Sequence, residues 1–304
     1  MGGEGGLRME RQLIVLNPLA GKRQAERRID ELRGILEADG MPSELYQTSA
    51  RGDAHSVVLC RAGEFARIVC IGGDGTLNEV ISGLVESKFD RPIGYIPAGT
   101  TNDLAASYGL SFDLLKAARN VVEGEAIYID VGSFNGRHFA YTASFGAFTR
   151  AAYAAPQQVK NVLGHLAYIL EGVRDVARIR PYRVRFDADG ERFEEDYIFG
   201  TVSNSTSMGG VLRFDPRRVD LHDGKFEMLL VRAPEHIGQL VLAAAALQRQ
   251  NYDNELLHFV SAGRIVAEAD PEMAWTLDGE YQPGAGAIEI LNLHDAVRLI
   301  VARR

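Results

Sequence analysis

Ile68-Val69-Cys70-Ile71-Gly72-Gly73-Asp74-Gly75-Thr76-Leu77-Asn78-Glu79 is the stretch on which the fold turns. Its four leading apolar residues read as a short strand buried on both faces. The strand runs into Gly-Gly-Asp-Gly-Thr and from there into a helix. Glycines let a backbone come close to a phosphate chain and point successive N–H groups at it. A helix N-terminus adds further donors and partial positive charge. Asp74, fixed between glycines, is placed to hold magnesium through water, as phosphoryl transfer requires. The bland alternative is a tight turn with a capping Asp, which suffices for a lone Gly-Asp-Gly but not for the whole run.

The alternation of strand and helix extends to both sides. Leu13-Ile14-Val15-Leu16 ends at Asn17-Pro18, a buried strand feeding a turn. A helical face of Ile29, Leu32, Ile35 and Leu36 follows, with Arg27, Arg28, Asp30 and Glu31 around it. Residues 44–47 read as a second strand, and Asp53 as the N-cap of a helix carrying Val57, Val58 and Cys60. After the third strand at 68–71, a fourth is expected at 93–96 and a fifth at 127–131. Short all-apolar strands between helices imply a parallel sheet covered on both faces, with ligands at the carboxyl ends of its strands.

Two further loops fall at such ends. Pro97-Ala98-Gly99-Thr100-Thr101-Asn102-Asp103-Leu104-Ala105 offers a glycine, two hydroxyls, an amide and a carboxylate at the start of another helix. Thr101 or Asn102 as an ordinary helix cap is the plain alternative. Asn17-Pro18-Leu19-Ala20-Gly21-Lys22 follows the first strand but lacks the Gly-x-x-x-x-Gly-Lys-Ser/Thr spacing of a P-loop. A turn with a solvent lysine explains it almost as well.

After Gly132 the rhythm changes. Alternating segments at 182–186 and 193–202, joined by turns such as Ala188-Asp189-Gly190, predict antiparallel hairpins. More strands are expected at 226–231 and 256–267, with helices at 159–176 and 234–247. A last apolar strand at 297–301 is expected to return to the first domain. No internal repeat is visible.

Composition narrows the class. With 46% hydrophobic and 24% charged residues the 304-residue chain has the make-up of a soluble globular protein of two domains. The most apolar helical candidate, 237–247, is too short for a membrane span and is interrupted by Gln239. Residues 1–6 fit neither a secretory signal nor the myristoylation pattern, so they read as a flexible tail. The two cysteines, Cys60 and Cys70, read as buried thiols of a reducing cytoplasm. A net charge of -8 argues against nucleic acid as a partner and against purely electrostatic docking on an anionic membrane. Arg178, Arg180, Arg183 and Arg185, like Arg213, Arg217 and Arg218, read as solvated strand edges. The seven histidines show no metal-ligand spacing, and Gly-x-Ser-x-Gly is missing. Trp275 reads as core.

Taken together, NPxxG, GGDGT and PxGTTND in this order resemble the diacylglycerol kinase catalytic-domain family, which includes bacterial soluble lipid kinases and is related to sphingosine and ceramide kinases. The resemblance continues through Val202-Ser203-Asn204, Gly209-Gly210, Pro216 and Asp223-Gly224 to Leu277-Asp278-Gly279-Glu280, covering nearly the whole chain. NAD kinases and phosphofructokinases share GGDGT; GTTND and the late LDGE favour the lipid branch. The implied fold is α/β plus β. A nucleotide-binding α/β domain (11–132, with 295–304 returning to it, after a tail at 1–10) precedes a β-sandwich-like domain (133–294). ATP is implied to lie in the cleft between them.

The resemblance also carries roles. Asn17, Pro18, Gly21, Thr48, Gly72, Gly73, Asp74, Gly75, Thr76, Asn78, Gly99, Thr100, Thr101 and Asn102 would contact ATP. Asp74, Asp103 and Asp130 would form an acidic, water-linked magnesium network. Asp220, Asp223 and Lys225, the lysine through its backbone carbonyl, would form a structural metal loop. Here His222-Asp223-Gly224 stands where relatives often have Asp-Asp-Gly. Glu280, with Asp278 beside it as runner-up, would be the base that takes the proton of the acceptor hydroxyl; an Asp-Gly hairpin turn with a solvent Glu is the plain alternative.

The expected activity is transfer of the γ-phosphoryl group of MgATP to a lipid hydroxyl, diacylglycerol giving phosphatidic acid being the first to test. Two alternatives stand: a kinase of a soluble acceptor such as NAD, and a catalytically silent lipid-binding or regulatory member. A cytoplasmic protein that touches the membrane peripherally and transiently is implied, with a homodimer left open.

Overall fold

The computed structural model describes residues 10–146, 180–208, 212–215 and 217–303. Residues 1–9, the helix expected over 159–176, Arg178, Gly209, Gly210 and Pro216 lie outside them, as do the side chains of Lys22 and Arg213. The chain divides into two compact units, residues 1–129 with 296–304 and residues 130–295.

In the first unit the chain alternates β1 (Gln12–Leu16), α1 (Gln24–Arg27), α2 (Ile29–Leu36), β2 (Ser43–Gln47), α3 (Asp53–Arg61), β3 (Arg67–Gly72), α4 (Asp74–Ser87), β4 (Pro92–Pro97), α5 (Asp103–Ser107), α6 (Leu114–Glu123) and the start of β5 (Glu125–Phe134). The strands order β4-β3-β1-β2 and all pair parallel. Every residue of β1 and β3 is buried, the condition under which continuous apolar runs outcompete alternation. Helices α2 and α6 pack Leu32, Leu36, Ala117, Ala118 and Val121 onto Ile14, Leu16, Val69 and Ile71.

Two local expectations are corrected here. Asp53 is the first helical residue rather than the cap, and its carboxylate turns back to accept the N–H groups of Ser49 and Ala50. Cys60 is exposed, because it lies off the buried stripe of Ala54, Val57 and Val58; Cys70 in β3 is buried, and burial pushes its thiol up.

The second unit is antiparallel among its described residues. It holds the end of β5, β6 (Arg137–Phe139), β7 (Thr142–Gly146), β8 (Tyr182–Ala188), β9 (Glu191–Ser203), β10 (Ser207–Met208), β11 (Leu212–Arg213), β12 (Phe226–Arg232), α7 (Ile237–Gln248), β13 (Leu257–Ala262), β14 (Arg264–Glu268), β15 (Trp275–Leu277), β16 (Glu280–Gln282) and the first part of β17 (Ala287–Val301). The ladder runs β16-β15-β7-β9-β8-β14-β17, and β12 joins β9 to β13. The single strand expected over 256–267 is two. Gly263 breaks it where the Asp189 carboxylate takes the N–H groups of Gly263 and Arg264, so β13 pairs with β12 and β14 with β8.

Trp275 is fully buried among Phe134, Phe145, Phe186 and Phe226. The described arginines of the expected basic stretches are ion-paired: Arg180 with Asp270, Arg183 and Arg185 with Glu194, Arg217 with Asp215, and Arg218 with Asp253.

Candidate functional site

Three loops meet at the carboxyl ends of β1, β3 and β4 in the first unit. The β1 loop is tied in by Asn17, whose N–H donates to the Ile71 carbonyl and whose amide Nδ2 donates to Thr76 Oγ1 at 3.1 Å. The β4 loop is tied in by Ala98, whose N–H donates to the Gly72 carbonyl at 2.7 Å. Glycine makes the approach sterically feasible. A Cβ on Gly99 would stand 2.6 Å from Gly73 Cα, and one on Gly21, at φ +53°, would stand 2.1 Å from the Ala98 oxygen. Neither could be accommodated without moving backbone.

Helix α4 opens into this cluster. Its first internal bond runs from the Leu77 N–H to the Gly73 carbonyl, so the N–H groups of the turn before Leu77 lie outside the helical ladder. Together with the positive helix end they form a donor set of the kind that suits a polyphosphate. Thr76 is buried against Asn17, and Asp74 stands half-exposed at the first helical position. Thr48 is tethered beside β1 by its N–H to the Leu16 carbonyl. Asp103, the first residue of α5, is 1% exposed.

Asn102 stands at the N-cap position of α5, but its side chain makes no capping hydrogen bond. It is 2% exposed at φ 53°, and its amide closes the 99–102 loop on itself. Oδ1 accepts the Gly99 N–H and the Tyr95 hydroxyl, and Nδ2 donates to the Gly99 carbonyl. Burial, reinforced by Asp74, holds the Tyr95 phenol well above its ordinary range, so it remains an O–H donor. Glu79, which the sequence placed in the motif without a role, caps α3 by accepting the N–H groups of Gly52 and Ala54.

In the second unit, Asp278 and Gly279 form the two-residue turn of the β15–β16 hairpin, at φ 46° and 85°. The plain reading of LDGE as a hairpin turn is thus correct for its Asp and Gly. Asp278 is not a solvent carboxylate, however. It is 8% exposed and accepts the N–H groups of Ala140, Tyr141 and Thr142 at 2.5, 2.9 and 3.0 Å. A carboxylate holding three backbone donors is committed to shape. Glu280 is half-exposed and pairs with Arg137 at 3.1 Å.

Asp130 has its side chain fully buried. Its Oδ1 accepts the Asp295 N–H and His294 Nδ1, each at 2.9 Å, and its Oδ2 accepts the Gly224 N–H at 3.0 Å. It therefore anchors the 220–225 loop through Gly224. The carboxylate raises the His294 imidazole above its ordinary range. Within the loop, Asp220 Oδ1 takes the His222 N–H and Asp223 Oδ1 takes the Lys225 N–H, leaving one oxygen of each exposed carboxylate outside these turns. Such oxygens, with backbone carbonyls, suit a hard divalent cation. Among the described residues the one group of three side chains with ligand atoms close enough to share an ion is Asp130, His294 and Asp295.

Sequence reading missed His294, Arg137 and Glu227. Glu227, two residues past Lys225, is 1% exposed; Ser261 donates to its Oε1, and its Oε2 has no hydrogen-bond partner among the described residues. Burial pushes its carboxyl up to about 8 from an ordinary 4.5. Because the folded value is the higher one, this group's contribution to stability is complete below about pH 4.5 and is lost as pH rises through 8. Urea midpoints in divalent-free buffer should therefore fall between pH 5 and 8.5, by an amount on the order of 2–4 kcal/mol in stability. Glu227→Gln should flatten that slope, and an unchanged slope would refute the assignment.

Two family models match the chain in succession, the second running through residues 296–300 that the structure assigns to the first unit. Residues 11–134 match the family model of the diacylglycerol kinase catalytic domain. Residues 142–300 match that of the YegS C-terminal NAD kinase beta sandwich-like domain. The chain is 31% identical over 300 residues to a diacylglycerol kinase of Bacillus subtilis (strain 168), covering 97% of each. It is 29% identical over 276 residues to one from Staphylococcus saprophyticus, covering 90% of this chain and 89% of the relative. A crystal structure of a diacylglycerol kinase from Bacillus anthracis str. Sterne matches with a TM-score of 0.75 at 22% identity over 97% of both chains, a likeness of fold.

Proposed function

Because the chain belongs to the diacylglycerol kinase catalytic-domain family, and is thus a lipid kinase that phosphorylates an alcohol, we propose that it transfers the γ-phosphoryl group of ATP to the free hydroxyl of diacylglycerol, giving phosphatidic acid. The observation that supports the nucleotide half is the close-packed cluster of the 17–21, 72–76 and 97–102 loops at the start of α4, where Gly21, Gly73 and Gly99 let the three backbones approach one another. The acceptor half rests on what the relatives are named for.

In this reading the N–H groups at the start of α4 bind and orient the phosphates, and Glu280 takes the proton of the acceptor hydroxyl as the new P–O bond forms. Asp278 holds the turn that presents Glu280. Asp74 and Asp103 would hold magnesium through water, such an ion offsetting charge on the phosphates when bound, and the 220–225 loop anchored by Asp130 would hold a structural ion. No helix among the described residues is long and apolar enough to cross a membrane. Peripheral, transient contact with the bilayer that contains the acceptor is the corresponding proposal.

The test is transfer of labelled γ-phosphate from MgATP to a panel of lipids in mixed micelles, with NAD and a no-acceptor control beside them. Label in diacylglycerol is the expected result. Label in another lipid alone would change the acceptor, label in NAD alone would move the protein to the soluble-acceptor reading, and label nowhere would leave the silent-binder reading.

A further inference from the structure

Arg137 and the residues just after it grip the hairpin that carries Glu280. The Arg137 guanidinium splays its two arms along β16: Nη2 reaches Glu280 Oε2 at 3.1 Å and Nη1 reaches Gln282 Oε1 at 2.6 Å. Glu280 and Gln282 are two apart on one strand, so their side chains share a face and one planar fork can serve both. Three residues further along the same segment, the N–H groups of Ala140, Tyr141 and Thr142 converge on Asp278.

The tip that presents Arg137 is itself fixed. Asn135, at φ 47° in the β5–β6 turn, donates its N–H to the Glu289 carbonyl, and its Oδ1 accepts the Glu289 N–H at 2.8 Å. Thus a short stretch anchored to β17 sets the Asp278 turn through its backbone and the Glu280 carboxylate through one side chain.

We propose that Arg137 is a positioning residue for phosphoryl transfer, holding the Glu280 carboxylate in one rotamer so that it meets the acceptor hydroxyl. The inference rests on Glu280 being the base. The Arg137–Glu280 pair is about 40% exposed on each side, and exposed pairs add little to stability. Its loss should therefore spare the fold and show in turnover. Without the fork the carboxylate loses a fixed contact, and the productive rotamer becomes a smaller fraction of those it samples. Arg137→Ala should cost on the order of tenfold in kcat, with KM for ATP unchanged.

A double-mutant cycle on the purified full-length protein decides the matter, with MgATP and diacylglycerol micelles as substrates. If Arg137 acts through Glu280, Arg137→Ala slows the wild type but has no further effect on Glu280→Gln. Arg137→Lys, which keeps the charge and loses the fork, should fall between wild type and Arg137→Ala. Full activity of Arg137→Ala, or the same tenfold loss on the Glu280→Gln background, would overturn the proposal and leave the base intact. Normal turnover by Glu280→Gln alone would overturn the base assignment and this inference with it.

Discussion

Asp74→Ala should abolish phosphoryl transfer, by on the order of a thousandfold or more, while leaving a folded protein. The residue opens α4 in the midst of the three loops, with Gly73 and Gly75 on either side. It is half-exposed, and its removal leaves no core cavity. Of the acidic residues at these loops, Asp103 is almost wholly buried in α5, so Asp74 is the better placed to hold, through water, a cation that would offset the charge of a phosphate chain. Circular dichroism and a urea melt should match the wild type. Lipid phosphorylation at the normal rate by the purified variant would remove this site from the mechanism altogether.

The second large effect is expected from Glu280→Gln. The amide keeps the size and most of the contacts of the side chain but cannot accept the acceptor's proton. Loss of a positioned base costs about 10²- to 10⁴-fold in turnover. The phosphate-type loops all belong to the first unit and Glu280 to the second, so KM for ATP should stay within about twofold. Equal losses in turnover and in ATP affinity would mean that Glu280 is not a base. Asp278→Asn supplies the contrast. It disturbs a carboxylate that holds three backbone N–H groups, so it should lower thermal stability as well as rate.

How much of this was legible in the chain depended on how local the signal was. Strands β1, β3 and β4 were, because a parallel sheet buried on both faces leaves uninterrupted apolar runs such as Leu13-Ile14-Val15-Leu16. The phosphate-type loops were legible because their glycines and their strand are contiguous, and the family resemblance drawn from them is borne out. Apart from the local misreadings of Asp53 and Cys60, what failed involved partners distant in sequence. The break at Gly263 is imposed by Asp189, 74 positions earlier. Arg137 meets Glu280 across 143 positions, and His294 meets Asp130 across 164. No spacing rule spans such distances, and Glu227 looks in sequence like any acid at the start of a strand until its burial is seen.

The composition of the first unit bears on how the chain is made. Its sheet takes a strand from beyond residue 295: Arg298 and Leu299 of β17 pair with Pro92 and Ile93 of β4, and Gly124 leaves room for the Val301 carbonyl. On a ribosome working from the N-terminus, β1 to β4 emerge long before that strand exists. Until residue 301 clears the exit tunnel, β4 carries an open, apolar edge of the kind that invites pairing with another chain. Nascent chains halted before Ala296 should thus be protease-sensitive and bound by chaperones, and the first unit should reach its final form only after the second has been synthesised.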